Sequence, residues 1–216
     1  MVIMVRKTKK EVVTAFRTRE ILNAARRVME HRGLEATMEE IAAAAGLAKG
    51  TLYLYFPGKE ELVQALMSQV GENMISDTEA ILNTHETPPE KLRQVVAMLV
   101  GYLEREGFLF PVYAREIVVG ERPARPDHWR VIRELEEKFI ILLTHFFAEG
   151  AAQGYFTSGD SRLLAFMIQG LARAVGYYQM KGASRDEMQE ALPLLVNVIS
   201  QGFILKETSL GEVASP

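Results

Sequence analysis

The sequence predicts an all-α protein of about nine helices, and three observations support this fold class. Apolar residues recur at helical spacing through most of the chain, as in the series Ile21, Ala25 and Val28 near its start. Short breaks rich in Gly and Pro separate these segments, for example NTHETPP at 83–89. The sequence shows no convincing strand, no glycine-rich phosphate loop and no internal repeat. The chain is therefore expected to pack helix against helix.

The composition narrows the class of protein. Hydrophobic residues make up 48% of the 216 residues and charged residues 25%, an ordinary balance for a soluble globular chain. No run of eighteen apolar residues occurs, so we expect no membrane span, and the start MVIMVRKTKK does not resemble a secretion signal. The absence of Cys excludes disulfides, thiolate catalysis and Cys-based metal sites. Together these features predict a cytoplasmic protein.

Charge is distributed unevenly along the chain. The net charge is −3, yet residues 1–60 carry 11 Lys and Arg against 7 Asp and Glu, while the remainder carries 14 against 21. A positive head on an acidic body suits a protein that binds DNA through the head alone. Basic residues are frequent in the segment 1–13, which predicts either a solvated tail or an arm that reaches DNA.

The first sixty residues predict three helices. The first is expected from Thr14 to Arg32. Thr37 and Glu40 form a capping box that begins the second helix, and Gly46 supplies the left-handed residue that ends it. The third is expected from about Lys49 to Tyr55, which gives two short helices joined by a tight turn.

The third predicted helix has an outward face that a core does not require. Leu52 and Phe56 lie four residues apart and are expected to dock on the second helix. Thr51, Leu54 and Tyr55 then point away from that core. A helix that reads bases and phosphates in a major groove needs such a face.

The stretch AGLAKGTLYLYFPGKEELVQAL, residues 45–66, closely resembles the TetR family of bacterial transcriptional regulators. The preceding ILNAARRVMEHRGLEAT resembles the family's first helix and turn, and beyond Leu66 only the pattern of helix lengths is similar. The resemblance implies a basic tail at 1–13, a helix-turn-helix DNA-binding domain at 14–60 and a helical ligand-binding and dimerisation domain at 61–208.

The resemblance also implies which residues contact DNA, on a palindromic operator read by a two-fold homodimer. Two positions depart from the family pattern: Ala48 replaces the common Ser, and Tyr55 replaces the commoner His. Carried over by position, the DNA-binding residues are Thr37, Lys49, Gly50, Thr51, Tyr53, Leu54, Tyr55 and Lys59.

Six further helices are expected after the head, with loops between them. The first is long, from Lys59 to about Asn83, and in the family it belongs to both domains. The others are expected at 88–106, 108–120, 127–153, 161–180 and 184–206.

Aromatic and Met side chains on the fifth to eighth helices are expected to fill a core or to line the ligand pocket that family members have there. Arg115, Glu116, Gln169 and Arg173 are polar residues in apolar surroundings, which suggests either ligand contacts or an Arg–Glu structural pair. Glu136, with the nearby glutamates, is expected on a solvated face. The candidate ligand-binding residues are Met98, Tyr102, Phe110, Tyr113, Arg115, Phe139, His145, Phe166, Gln169 and Arg173.

The last helix carries an apolar stripe that is expected to form a dimer interface, with core packing inside one subunit as the competing interpretation. The stripe consists of Leu192, Leu195, Val196, Ile199 and Phe203.

No catalytic constellation is present in the sequence. The four His residues lack metal-ligand spacing and no nucleophile elbow occurs, so we expect neither an enzyme nor a metal or cofactor. The sequence therefore predicts a DNA-binding repressor released by a small, largely apolar ligand. The alternative is a regulator controlled by a protein partner.

Overall fold

The computed structural model describes residues 8–118 and 129–204, and these residues form nine α-helices. Within this described part, the only strand-like pairing is a single bridge between Phe156 and Ile204. The chain divides into two compact units, Met1–Gln69 and Val70–Pro216, and the division falls inside the fourth helix. The all-α prediction is confirmed.

The first unit, which we call the head, contains α1 (Lys9–Arg32), α2 (Met38–Ala44), α3 (Lys49–Tyr55) and the beginning of α4 (Lys59–Leu82). The predicted bounds of α3 are confirmed.

Helix α1 begins at Lys9 rather than at Thr14, so the prediction of a tail through residue 13 is wrong for its last five residues. The cause is a capping box: the Thr8 side chain accepts from the Glu11 amide at 3.3 Å, and the Glu11 carboxylate accepts from the Thr8 amide at 2.7 Å. Lys9 and Lys10 are therefore helical. Arg6 and Lys7 lie outside the described residues.

The head has a small core of its own. Ile21 and Ala25 of α1, Ile41 of α2 and Leu52 of α3 are all fully buried. The predicted Thr37–Glu40 capping box is confirmed, and Gly46 has a φ of 66°, which a glycine adopts without strain. These two features set the start of α2 and the turn after it, and therefore how α3 meets α2.

The second unit, which we call the body, contains the rest of α4 and five further helices. The predicted sixth helix is not one continuous α-helix, because a 3-10 turn at Gly107–Leu109 precedes it and a π-helical turn at Ala114–Val118 follows it. Residues 119–128 and 205–206, where the predicted helices end or begin, lie outside the described part. The five helices are α5 (Pro88–Glu106), α6 (Phe110–Tyr113), α7 (Arg130–Ala152), α8 (Ser161–Met180) and α9 (Arg185–Gly202).

The core of the body is built around aromatic rings from α7 and the residues that follow it. The ring centroids of Phe147 and Phe156 are 5.1 Å apart, and those of Phe146 and Phe156 are 5.2 Å apart. Gly150 makes room for this packing, because a Cβ atom there would lie 2.3 Å from the Phe156 ring. Leu92 and Val95 of α5 complete the same apolar cluster.

Candidate functional site

The outer face of α3 is the most exposed part of the head's hairpin. Leu52 and Phe56 are buried against α2, and Leu54, on the other side of the same helix, is 85% exposed. Tyr53 is 39% exposed, while Thr51 and Tyr55 are half-buried. Leu54 therefore contributes little buried apolar area to the head, and this side of the seven-residue helix is open to solvent.

Lys49, at the start of this face, has two neighbours within the head. Its ammonium contacts the Glu39 carboxylate of α2 and lies 5.9 Å from the centroid of the Tyr53 ring. The hydrogen bond between them lowers the pKa of Glu39 and raises the pKa of Lys49, so both groups are charged at neutral pH. Lys49 is exposed as predicted, but the Glu39 carboxylate of the same chain already forms an ion pair with it.

Two of the other predicted DNA contacts also have structural partners. Thr37 caps α2 through its side chain, and the ammonium of Lys59 donates to the Leu34 carbonyl. Both residues therefore help to fix the ends of the helices that carry them. Gly50 is exposed, and a Cβ atom there would meet no other atom within 4 Å, so this glycine is not required by packing in the head.

A polar cluster in the body joins three helices. Glu136 of α7 is its centre: its Oε1 atom accepts from Arg173 Nη2 at 2.7 Å, from Gln169 Nε2 at 3.3 Å and from the Tyr113 hydroxyl. Arg173 also donates from Nε to the Tyr113 oxygen at 2.9 Å. We call Tyr113, Glu136, Gln169 and Arg173 the Glu136 cluster.

The Glu136 cluster is electrically balanced and largely shielded from water. The side chains of Glu136 and Arg173 are 21% and 27% exposed. Burial, together with the Glu136 carboxylate, raises the pKa of Tyr113 far above its usual range. Burial opposes the charge on Arg173, but Tyr113 and Glu136 outweigh it and raise the pKa of that guanidinium. Three predicted ligand residues thus meet at a glutamate that was expected on a solvated face, and that expectation was wrong.

A signal for Glu136 was present in the sequence. The residue lies four positions after Ile132, three before Phe139 and four before Ile140, which are all buried. It therefore occupies the apolar stripe of its own helix, unlike its neighbour Glu137, which pairs with Arg162 at the surface.

Three other candidate ligand residues are exposed rather than enclosed. The Arg115 side chain is 74% exposed and bonds its neighbour Glu116 at 2.6 Å, because the π-helical turn carries it outward. Phe166 is 44% exposed, beneath the guanidinium of Arg162. His145 is exposed on the rim of an open cleft of about 290 Å³, whose lining also includes Leu82 and Glu149 and no member of the Glu136 cluster.

The remaining candidates pack inside the body. Phe139 belongs to the core cluster, and Met98 lies against it. The Tyr102 hydroxyl donates to Asp77 at 2.7 Å. Phe110 lies beside the Glu136 cluster, with its ring 5.8 Å from the Tyr113 ring and 5.1 Å from the Tyr177 ring.

The predicted dimer stripe on α9 faces inward. Leu195, Ile199 and Phe203 are buried in the core of their own subunit, and Val196 is half-buried against it. The Leu192 side chain lies outside the described part of the structure. The competing interpretation, packing within one subunit, is correct for these residues because α9 closes the core over α5 and α8.

A different apolar surface faces outward from the last two helices. It follows one side of α8 and the adjacent side of α9, where side chains are between 44% and 63% exposed. We call this surface the α8–α9 face, and it consists of Leu163, Phe166, Met167, Tyr178, Leu194 and Val198.

The described residues contain neither a candidate metal site nor a candidate membrane-spanning helix. Within 8–118 and 129–204, no group of three or more His, Asp or Glu residues is arranged to hold a metal ion. In the same ranges, every helix is too short or too polar to span a bilayer.

An all-α chain with a helix-turn-helix head and a separate helical body has the architecture of a DNA-binding transcriptional regulator. The family models agree in both parts. Residues 21–66 match the bacterial regulatory proteins of the tetR family, and residues 85–192 match the tetracyclin repressor-like C-terminal domain. The chain belongs to the TetR family, and it is a transcriptional regulator rather than an enzyme.

Relatives of known name cover most of the chain. The fatty acid metabolism regulator protein of Bacillus subtilis (strain 168) is 29% identical over 153 residues, which are 70% of this chain and 77% of the relative. The FadR regulator of B. subtilis, solved in complex with stearoyl-CoA, is 26% identical with a TM-score of 0.62, covering 82% of this chain and 97% of that one.

A further solved structure shows the fold alone. A Saccharomonospora viridis protein in complex with choline has a TM-score of 0.75 at 19% identity, covering 89% of this chain and 100% of that one.

Proposed function

We propose that this regulator is a homodimeric repressor that binds a palindromic operator and is released by a long-chain acyl-CoA. The observation that carries ligand control is the Glu136 cluster, because it brings polar groups from three helices together inside the helix packing of the body. Relatives at 26–29% identity that are named for fatty acid metabolism, one of them holding stearoyl-CoA, support the ligand class.

The operator is read by the outer face of α3. Leu54 offers an apolar contact for a thymine methyl, and Thr51, Tyr53 and Tyr55 offer hydroxyls for bases or phosphates. Lys49 and Lys59 supply positive charge, and Gly50 permits the helix to approach the DNA closely. Thr37 contacts a phosphate in addition to capping α2.

The Glu136 cluster supports a ligand that is mostly uncharged where it enters the body. Arg173 is already neutralised by Glu136, so the Glu136 cluster itself offers no uncompensated positive charge to a carboxylate. An apolar acyl chain with a thioester carbonyl matches this balance better than a fatty acid anion does, since burying an uncompensated charge is costly. The nearby rings of Phe110 and Tyr177 supply apolar contact area.

Release of DNA requires that the ligand prefer one conformation. A ligand that bound the DNA-competent and DNA-incompetent forms equally well would change nothing. Ordering or separating α6, α7 and α8 around the Glu136 cluster provides such a preference. Helix α4 contributes residues to both units and is the covalent route between them.

The experiment is a reciprocal binding measurement. An operator is selected from a random duplex pool, and stearoyl-CoA binding is measured by calorimetry with and without it. If the ligand weakens operator binding tenfold, a coupling of about 1.4 kcal/mol, the operator must weaken ligand binding by the same factor. Free CoA and stearate serve as controls for the headgroup and the chain.

Equal stearoyl-CoA affinity with and without operator would contradict release by this ligand. Tight binding of stearate alone would contradict the thioester argument. Operator binding that no acyl ligand changes would favour the protein-partner alternative.

The dimer is proposed to form through the α8–α9 face. Leu194 is 63% exposed and Val198 is 44% exposed, one turn apart on α9, so a Glu at either position costs the isolated subunit little. We expect Leu194→Glu to give a folded monomer that binds the operator weakly, since a charge in an apolar interface costs several kcal/mol. Light scattering and circular dichroism measure the two properties.

The matched control is Ile199→Glu, five residues further along the same helix, where the side chain is 1% exposed. This variant is expected to unfold rather than to dissociate. A wild-type protein that is monomeric at micromolar concentration would overturn the dimer proposal.

A further inference from the structure

Glu39 is an acidic side chain at the edge of the surface that is proposed to read DNA. It is the second residue of α2, and its carboxylate contacts the ammonium of Lys49 at the start of α3. The two side chains are 53% and 59% exposed. The contact therefore joins the two helices of the hairpin on its outer side, where the α3 face begins.

A carboxylate in this position has an electrostatic cost for DNA binding. DNA phosphates attract Lys49 but repel Glu39, so the pair as a whole carries no net charge toward the duplex. Exposed ion pairs are weak, which means that the pair contributes little to folding and can open when DNA arrives. The negative charge of Glu39 contributes to the electric field at the DNA surface whether the ion pair is closed or open.

The neighbouring Tyr53 ring restricts where Lys49 can go. The ammonium lies 5.9 Å from the ring centroid and in contact with the Glu39 carboxylate, so both groups restrain its position. Without the carboxylate, the flexible lysine stem is able to reach any nearby phosphate. With the carboxylate present, Lys49 leaves Glu39 for a DNA contact only where that contact is the more favourable of the two.

We infer that Glu39 is a specificity-determining residue, which holds Lys49 and repels the phosphate backbone so that the head binds random DNA weakly. Non-specific binding depends almost entirely on phosphate neutralisation, whereas operator binding also gains base contacts. On random DNA, Lys49 leaves Glu39 for a phosphate alone, whereas on the operator a base contact adds to the gain, so the carboxylate lowers the affinity for random DNA more. This inference rests on the proposal that the α3 face reads DNA.

The variant that tests this is Glu39→Gln, which keeps the side-chain size and removes the charge. We expect its affinity for a random duplex to rise about fivefold at low salt, the effect of one unit charge about 4 Å away in water. The slope of log affinity against log salt should steepen by about one, and the ratio of operator to random affinity should fall.

The matched control is Glu20→Gln, the same charge change at an exposed position of α1 in the same unit. If Glu39 acts through its position beside Lys49, the control changes both affinities far less. The double variant Glu39→Gln with Lys49→Gln, compared with Lys49→Gln alone, separates the two parts of the effect: the gain from releasing Lys49 disappears in this background, whereas the gain from removing the repulsion remains.

Each outcome has one meaning. Equal effects of Glu39→Gln and Glu20→Gln would overturn the inference and leave only net charge. A loss of operator affinity in Glu39→Gln would also overturn it and make Glu39 a direct reader, since a carboxylate can accept from cytosine N4. If the wild type shows no preference for any duplex, the proposed DNA-reading function fails first, and this inference fails with it.

Discussion

On the outer face of α3 a large apolar side chain faces solvent, whereas in the Glu136 cluster of the body charged side chains face one another inside the helix packing. Leu54 of α3 is 85% exposed, while Glu136 of α7 and Arg173 of α8 keep only 21% and 27% of their side chains exposed. Both arrangements oppose the usual burial of apolar groups and exposure of charge. We have proposed DNA contact for the first and ligand contact for the second.

The helical hairpin of the head, from Thr37 to Tyr55, and the Glu136 cluster of the body differ in the range of the polar contacts that build them. In the head, Thr37 meets Glu40 three residues away, and Lys49 meets Glu39 ten residues away. In the body, the hydrogen bonds of the Glu136 cluster join residues that are 23 to 60 positions apart. Local contacts follow from motif and spacing, while distant ones depend on how whole helices pack.

The largest expected effect is on the stability of the body. Phe147 is fully buried, and its ring lies 5.1 Å from the Phe156 ring and 6.2 Å from the Phe203 ring. We expect Phe147→Ala to lower the free energy of unfolding by about 3–5 kcal/mol, because the packing lost leaves a cavity. Urea unfolding followed by circular dichroism measures the loss.

Phe16→Ala is the control, since the same type of side chain there is 49% exposed and lies outside the α8–α9 face. It should cost the subunit much less, so that nearly all of the difference comes from burial. Equal losses at the two positions would mean that the core does not depend on these aromatic contacts.

The second prediction concerns the head, where binding should change and stability should not. We expect Thr51→Ala combined with Tyr53→Ala to abolish specific DNA binding, at about 1–3 kcal/mol for each contact removed. Neither side chain is part of the buried core, so the melting temperature should remain close to that of the wild type. Mobility shift on the selected operator and thermal unfolding measure the two properties. Unchanged binding would show that another surface reads the DNA.

The smallest expected effect is a change in the pH dependence of stability, which tests whether the Glu136 cluster is buried. Burial raises the pKa of Tyr113 above its usual value near 10 in the folded protein. The hydroxyl therefore stabilises the fold fully below pH 10, and this contribution is lost as the pH rises above that value. Tyr113→Phe should cost about 1 kcal/mol at neutral pH for the lost hydrogen bonds, and it should lose less stability than the wild type on going above pH 10.

Tyr102→Phe provides the comparison within the body. Burial and the hydrogen bond to Asp77 raise the pKa of Tyr102 as well, so its alkaline contribution adds to that of Tyr113. The two single variants should each remove part of the alkaline loss, and the double variant should remove both parts. An alkaline stability curve that is identical in the wild type and in Tyr113→Phe would contradict the buried arrangement of the cluster.

The family, the all-α fold and the helical hairpin of the head are predicted correctly from the sequence alone. The bounds of α3, the capping box at Thr37 and the turn at Gly46 depend on residues a few positions apart, and all three predictions are confirmed. Helix α1 begins at Lys9, five residues before its predicted start, because the Thr8–Glu11 capping box, which is also a local contact, begins the helix there.

Which partner each apolar or polar face of a helix packs against depends on the tertiary packing, and the sequence alone does not predict it. Helix α9 has two apolar sides. The side that carries Leu195 and Ile199 is buried in the subunit, whereas the side that carries Leu194 and Val198 is exposed. Glu136 is likewise a cluster centre only because Tyr113 and Arg173 arrive from other helices. Periodicity describes the sides of one helix around its own axis, whereas the partner of each side depends on the packing of all the others.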